Sequence, residues 1–188
     1  MTVNNVLERS RCQLPVLKVR PGSECVAAFG ELGPLWYAVH WANDRQHLCC
    51  GSDVVDCPLC VYGASRVVGM TLVTTRLQAA SKVFLLEVSP LAWGQFSDRC
   101  RFGDFVLADG VEAKVTRPRA RGCLRIEPLV RVDEFASWLD AERRLLRAWA
   151  VLYGLPLPSL TETFEEFFRR VLSVVEARAR IAADTPRK

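Results

Sequence analysis

The sequence contains few of the residues on which catalytic sites usually depend. Only two histidines occur among its 188 residues, and no P-loop, Gly-x-Gly-x-x-Gly or His-Glu-x-x-His motif is present. Both histidines lie next to a cysteine-rich segment, which leaves none for a serine- or cysteine-based triad elsewhere. We therefore expect a protein without enzymatic activity.

Long apolar runs are also missing. No stretch of about eighteen apolar residues is present, so we expect no membrane partner. Residues 1–5 contain no basic segment followed by an apolar one, which argues against secretion and for a cytoplasmic location. In that compartment the eight cysteines are expected to bind metal rather than to form disulfides.

Lysine is scarce: only four of the 25 basic residues are Lys, and the others are Arg, which is better suited to phosphate recognition. Residues 1–132 carry the whole net charge of +4, whereas residues 133–188 are neutral. The densest basic run consists of Lys114, Arg117, Arg119, Arg121 and Arg125. Such a run is typical of a nucleic-acid surface, although a solvated hairpin has the same pattern.

The pattern of apolar residues predicts short strands followed by helices. Strands are expected at 14–20, 24–29, 35–41, 45–49, 67–77, 82–88, 105–108, 111–116 and 124–130. Helices are expected at 91–100, at 134–153 with Asp133 as N-cap, and from Thr161 to about residue 183. This order predicts a mainly β fold with C-terminal helices (α+β), namely an OB-like β-barrel, with a β-sandwich as the main competitor.

Two domains are expected from this order of elements. Residues 13–132 would form the OB-like, zinc-containing, nucleic-acid-binding domain. Residues 133–184 would form a helical hairpin packed on it.

The strongest motif is Cys-Pro-Leu-Cys at residues 57–60. A Cys-Pro-x-Cys segment makes a tight knuckle whose two sulfurs, here Cys57 and Cys60, can point to one ion. The alternative interpretation is a pair of free thiols or a redox pair, but a thioredoxin-type motif needs a βαβ context that the sequence does not offer. Tetrahedral zinc requires four N or S ligands, so a second pair must come from nearby.

The hairpin that precedes the knuckle can supply this second pair. If residues 43–44 form a two-residue turn, His40 lies opposite His47 on one face, and Cys49 follows two residues further on. We therefore predict His40 and Cys49 as the remaining ligands, with His47 and Cys50 as close alternatives. A closed site of three cysteines and one histidine would hold a structural Zn²⁺ ion.

Aromatic and basic residues are interleaved along the β-region, as in proteins that stack the bases of single strands and hold their phosphates. Trp41 and Tyr62 adjoin polar loops and are predicted to stack on bases. The predicted nucleic-acid-binding residues are Trp41, Arg45, Tyr62, Arg66, Arg76, Lys82, Arg117, Arg119 and Arg121.

The order of these features resembles the T-even phage helix-destabilising proteins, a family of single-stranded DNA-binding proteins. In that family one His lies on a strand of a zinc subdomain inserted into an OB-type core, followed by a Cys and then Cys-Pro-x-Cys. Here His40, Cys49 (or Cys50), Cys57 and Cys60 correspond to that pattern, and residues 115–123 are similar to its Thr-Arg…Gly return strand. The chain departs from the family because it lacks a strongly basic N-terminal stretch and an acidic tail.

We therefore expect a zinc-containing protein that binds single-stranded DNA, in preference to RNA, with little sequence selectivity. The resemblance implies a role in replication, recombination or a mobile-element process. The alternative is a non-enzymatic adaptor, in which the zinc loop and the C-terminal helices dock a protein partner in a nucleic-acid-processing or defence complex.

Overall fold

A computed structural model describes residues 9, 12–30, 32–51, 56–77, 80–103, 105, 107, 110–119, 123–132 and 141–185. For residues 76, 77, 80 and 81 it describes the backbone alone. Within these ranges the chain forms seven strands, three α-helices and a short 3-10 turn at Cys60–Tyr62. No helix of the described part is both long enough and apolar enough to span a membrane.

The strands follow the predicted positions closely. They are β1 (Glu24–Phe29), β2 (Leu35–Ala42), β3 (Arg45–Leu48), β4 (Arg66–Leu77), β5 (Ala80–Val88), β6 (Val111–Thr116) and β7 (Arg125–Arg131). The helices are α1 (Pro90–Phe102), α2 (Ala141–Leu152) and α3 (Phe164–Asp184). The N-terminal part of the predicted helix 134–153, with its cap Asp133, lies outside the described residues.

The long strand β4 organises one antiparallel sheet in the order β3-β2-β4-β1-β6-β7. Along one edge, β4 pairs first with β2 and then, near its end, with β1. Its other edge pairs with β5 over nine residue pairs. β4 therefore contacts three strands and links the β2–β3 hairpin to the rest of the sheet.

The expected mainly β architecture with C-terminal helices is confirmed, but the sheet is open rather than closed into a barrel. The free edge of β5 is occupied near Leu85 by residues 15–17, which pair with it in parallel. The Leu17 amide donates to the Leu85 carbonyl at 2.8 Å, and the Leu85 amide donates to the Pro15 carbonyl at 2.9 Å. This contact occupies backbone groups of β5 to which another strand would have to bind to close a barrel. Helix α1 packs against β7.

Two predicted strands differ from what the structure has. The predicted strand 14–20 is reduced to the single bridge at Val16. The described residues of the predicted strand 105–108, Phe105 and Leu107, lie in no strand. The Phe105 amide instead donates to the Cys100 carbonyl at 2.9 Å, which extends the end of α1.

Each face of β4 is buried in a separate core because side chains alternate along a strand. Val68, Met70 and Leu72 face one core, which also contains Trp149 of α2 and Phe167 of α3. Val73 faces the other core, which is formed with strands β1, β5, β6 and β7 and with α1. The residues of the two predicted domains thus share the first of these cores.

Trp149 is the centre of the core between the sheet and the C-terminal helices. Its ring is fully buried, and its centroid lies 5.4 Å from Tyr37 on β2 and 5.4 Å from Phe164 on α3. The aromatic pairs are arranged edge to face, the geometry that the ring quadrupoles favour. This packing fixes both helices against the strand that carries His40.

Helix α3 begins one turn later than the predicted Thr161. Thr163 is its N-cap: the Thr163 hydroxyl accepts from the Glu166 amide, and the Glu166 carboxylate accepts from the Thr163 amide. These reciprocal bonds satisfy two amides that the first turn of a helix leaves without intrahelical partners.

Loss of this cap should have a measurable effect on stability. Thr163→Ala is expected to lower the free energy of unfolding by about 1 kcal/mol, because the Glu166 amide loses its side-chain acceptor. Chemical denaturation followed by tryptophan fluorescence measures the change. Thr161→Ala, two residues before the cap, is the matched control, and an equal effect of both substitutions would contradict the assignment.

Candidate metal centre

The hairpin of β2 and β3 has the register that the sequence predicts. Asn43 and Asp44 both have positive φ angles, 50° and 58°, as a two-residue type I′ turn requires. Asn and Asp are the non-glycine residues that tolerate this conformation best. Ala42 therefore pairs with Arg45, and His40 lies directly opposite His47.

Four side chains of this region converge on one point. The candidate ligand atoms of His40, Cys49, Cys57 and Cys60 all lie within 4.8 Å of one another. The Sγ atoms of Cys49 and Cys60 are 3.8 Å apart, and Cys60 Sγ is 3.5 Å from His40 Nε2. The sulfurs belong to the end of β3 and the knuckle, so two chain segments that are separate in sequence form one group.

These distances fit a tetrahedral metal site. Zn–S bonds of about 2.3 Å and Zn–N bonds of about 2.0–2.1 Å give tetrahedron edges of about 3.8 Å between two sulfurs and about 3.5 Å between sulfur and nitrogen. Both values match the observed separations. The four side chains are therefore close enough to coordinate one ion.

The structure separates the alternatives that the sequence leaves open. His47 is not one of the four residues in the group. Its Nε2 atom lies 3.2 Å from the Ala42 carbonyl oxygen. Cys50 also lies outside the group, and its thiol hydrogen-bonds to the sulfur of Cys57. Burial and this hydrogen bond raise the pKa of Cys50 to about 12.

Backbone amides point at the sulfurs of two candidate ligands. Burial raises the pKa of Cys57, but hydrogen bonds from the amides of Cys50 and Leu59 and from neighbouring thiols lower it below its ordinary value. Burial raises the pKa of Cys49 to about 11, and a hydrogen bond from the Gly51 amide partly offsets this effect. Amide donors of this kind stabilise a thiolate, which is the form that binds metal.

Gly51 is a contributor that motif reasoning missed. A Cβ atom at this position would lie 3.4 Å from Cys49 Sγ and 3.3 Å from Cys57 Cβ, so even alanine would be tight here. Its position directly after the Cys-Cys pair is the sequence signal that could have found it.

The group lies at the boundary between core and solvent. His40, Cys49 and Cys57 are buried, whereas Cys60 is exposed. Burial and the neighbouring His47 lower the pKa of His40, which favours the neutral ring that can donate a lone pair to a metal. Cys49, Cys57 and the knuckle residue Leu59 also belong to the core that contains Trp149.

The two predicted stacking residues lie in one cleft beside this group. Trp41 is 68% exposed and Tyr62 is 54% exposed. Both line a cleft of about 440 Å³ together with His40, Asn43 and residues 182–185 at the end of α3. The Tyr62 hydroxyl donates to the Ala183 carbonyl at 3.3 Å, which fixes the ring at the rim of the cleft.

The predicted basic residues fall into two groups. Arg45 and Arg66 lie at the metal end of the sheet, where Arg66 forms an ion pair with Glu87 at 3.2 Å. The backbone of Arg76 lies ten residues further along β4, a separation of about 33 Å. Strand pairing brings Lys82 and Arg117 to that same far end.

Of the remaining predicted basic residues, Arg119 belongs to the far group, and Arg121 lies outside the described residues. Arg119 is exposed and follows β6, as Arg117 does. The side chain of Arg76 and all of Arg121 lie outside the described residues. The candidate metal ligands and the far basic group therefore lie at opposite ends of the sheet.

The choice of ligands can be tested with cobalt as a spectroscopic probe. Cys50→Ser is expected to keep one equivalent of Co²⁺ and its intense thiolate charge-transfer bands, because Cys50 is a hydrogen-bond donor and not a ligand. Cys49→Ser is expected to weaken these bands and to reduce metal affinity at least tenfold. The opposite ranking of these two neighbouring variants would show that Cys50 is the ligand.

Removal of the metal should destabilise the whole protein. The ion would join the hairpin to the knuckle within the core of Trp149, so a chelator is expected to lower the melting temperature and the free energy of unfolding by several kcal/mol. Thermal unfolding followed by tryptophan fluorescence measures this change. Zinc should restore the transition and magnesium should not, whereas an unchanged transition after complete removal of metal would contradict the expectation.

No family model, no curated protein and no solved structure matches this chain. Function must therefore be argued from the residues of the site itself. These residues are a four-ligand metal group, a cleft with two exposed aromatic rings beside it, and basic side chains at both ends of the sheet.

Proposed function

We propose that this chain is a zinc-stabilised protein that binds single-stranded nucleic acid, with DNA as the favoured ligand. The observation that carries the proposal is the placement of Trp41 and Tyr62, two exposed rings, in one cleft next to the candidate metal group. Exposed aromatic rings are the surfaces on which proteins stack unpaired bases.

Zinc is the metal that suits the donor set. Three sulfurs and one imidazole at tetrahedral spacing favour Zn²⁺ over the hard cations, which prefer oxygen ligands. Four protein ligands leave no open position for substrate or water, so the ion has a structural and not a catalytic role. We accordingly propose a protein without enzymatic activity, in which the metal holds the cleft in shape.

The cleft would bind bases while neighbouring cations bind phosphates. Each stacked base would contribute roughly 1–3 kcal/mol. Arg45 is exposed at the same hairpin, where it pairs with Ala42 directly before the turn. A strand continuing over the sheet would reach Lys82, Arg117 and Arg119 at the far end.

The chain order of the strands supports an OB-like core. Strands β1, β4, β5, β6 and β7 follow one another with α1 between the third and the fourth of them, and β1 pairs with β4 and β6. The β2–β3 hairpin and the knuckle form an insertion between β1 and β4. This arrangement is similar to the OB core with an inserted zinc subdomain of the T-even phage family, which favours a role in replication, recombination or mobile-element processes.

The proposal predicts both salt dependence and dependence on one ring. Affinity for a fluorescent oligothymidylate should fall with salt by about 0.7 log unit per tenfold change for each phosphate contacted. Trp41→Ala should weaken binding by roughly 5- to 100-fold, since one stacking platform is lost, and Trp41→Phe should restore much of the affinity. Fluorescence anisotropy at several salt concentrations measures both effects.

Phe102 provides the matched control for this experiment. It is an aromatic residue with 85% exposure at the end of α1, away from the cleft. Phe102→Ala should leave affinity unchanged. Equal affinities of the Trp41→Ala and Phe102→Ala variants, or binding that does not respond to salt, would contradict the proposal.

A further inference from the structure

The outer edge of β3 presents backbone hydrogen-bonding groups. Among the described residues β3 pairs with β2 alone and lies at the end of the sheet. In a two-residue hairpin the residues that flank the turn, Ala42 and Arg45, exchange hydrogen bonds, and the pattern then alternates. The Cys49 amide donates to the Ala38 carbonyl at 2.9 Å, so these two residues form a hydrogen-bonded pair, as the alternation requires. The amides and carbonyls of Gln46 and Leu48 therefore point outward.

A groove runs along this edge. Four consecutive β3 residues, Arg45–Leu48, line it. Because neighbouring side chains of a strand point to opposite faces, only a groove along the edge can contact all four. On the facing side the groove is lined by α3, where Ile181 is exposed while Val175 and Ala179 are buried in the core, and its volume is about 610 Å³.

The groove is apolar with a positive rim. Arg45 and Arg178 line it, and no Asp or Glu is among its described lining residues. The Arg178 guanidinium donates to the carbonyls of Tyr153 and Gly154, at 2.6 and 3.0 Å, which holds the charge in place. Ile181 is 69% exposed, although it lies on the wall of an apolar groove.

We propose that this groove binds an extended, acidic peptide segment of a partner protein as an additional antiparallel or parallel strand on β3. Backbone bonds to Gln46 and Leu48 would provide affinity, an apolar side chain would contact Ile181 of α3, and carboxylates would face Arg45 and Arg178. This inference does not depend on nucleic-acid binding. It assigns a binding site for a protein partner, as the alternative function of an adaptor requires.

A peptide fits these features better than a nucleic acid does. The aromatic residue of the groove, Tyr153, is half-buried, and its hydroxyl contacts Tyr37 and Gln46 at 3.3 and 3.1 Å. The exposed rings Trp41 and Tyr62 line the other cleft, not this one. A strand edge recognises peptide main chain, whereas unpaired bases need a stacking surface.

Amide hydrogen exchange tests the proposal directly. The probe is an eight-residue peptide of alternating Glu and Val, added to the full-length, metal-loaded protein. In the free protein the amides of Gln46 and Leu48 should exchange rapidly while that of His47 is protected by the hairpin. The peptide should slow exchange at Gln46 and Leu48, and a Lys-Val peptide should do so much less.

A proline substitution separates backbone from side-chain effects. Gln46→Pro removes the outward amide, and Gln46→Ala removes the same side chain but keeps that amide. Measured by anisotropy with a labelled Glu-Val peptide, the proline variant should lose about tenfold in affinity, a change that corresponds to one hydrogen bond, and the alanine variant should lose about twofold or less. Metal content confirms that each variant retains the hairpin.

A second variant covers the case in which the proline variant fails to fold. Ile181→Glu places a carboxylate at an exposed position of the groove wall and should weaken Glu-Val binding at least tenfold. The proposal is overturned if Gln46 and Leu48 are already protected in the free protein, if oligothymidylate and not the peptide protects them, or if Ile181→Glu and Gln46→Pro bind the peptide as the unmodified chain does.

Discussion

The register of the β2–β3 hairpin is the constraint on which the candidate site depends. Two left-handed residues at the turn, Asn43 and Asp44, place His40 opposite His47 and start the alternation that brings Cys49 to the same face. A shift by one residue would turn His40 to the other face and remove it from the sulfurs. The metal group thus depends first on a local turn and only then on long-range packing.

The metal group and the C-terminal helix support each other. Asn43 in the turn donates to the Ala182 carbonyl at 3.2 Å, and Tyr62 after the knuckle donates to the Ala183 carbonyl at 3.3 Å. These carbonyls belong to the last turn of α3, where intrahelical donors are missing. The two segments that the ion would join therefore also cap α3, and the last turn of α3 forms a wall of both clefts.

Local patterns made much of the fold and the ligand set predictable from sequence. The strands β1, β2, β3 and β6 follow alternation and turn residues, and the His40–Cys49 choice follows from side-chain alternation across a two-residue turn. The open sheet was not predictable, because the pairing of residues 15–17 with Leu85 is non-local and involves only backbone atoms. Sequence also could not show that α3 forms a groove with β3.

X-ray absorption at the zinc edge of protein purified without added metal tests the central claim most directly. The account predicts one zinc per chain, with three sulfur neighbours at about 2.3 Å and one nitrogen neighbour at about 2.0–2.1 Å. A shell of four sulfurs would mean that Cys50 replaces His40. A shell dominated by oxygen, or a protein that folds with no bound metal, would contradict the account.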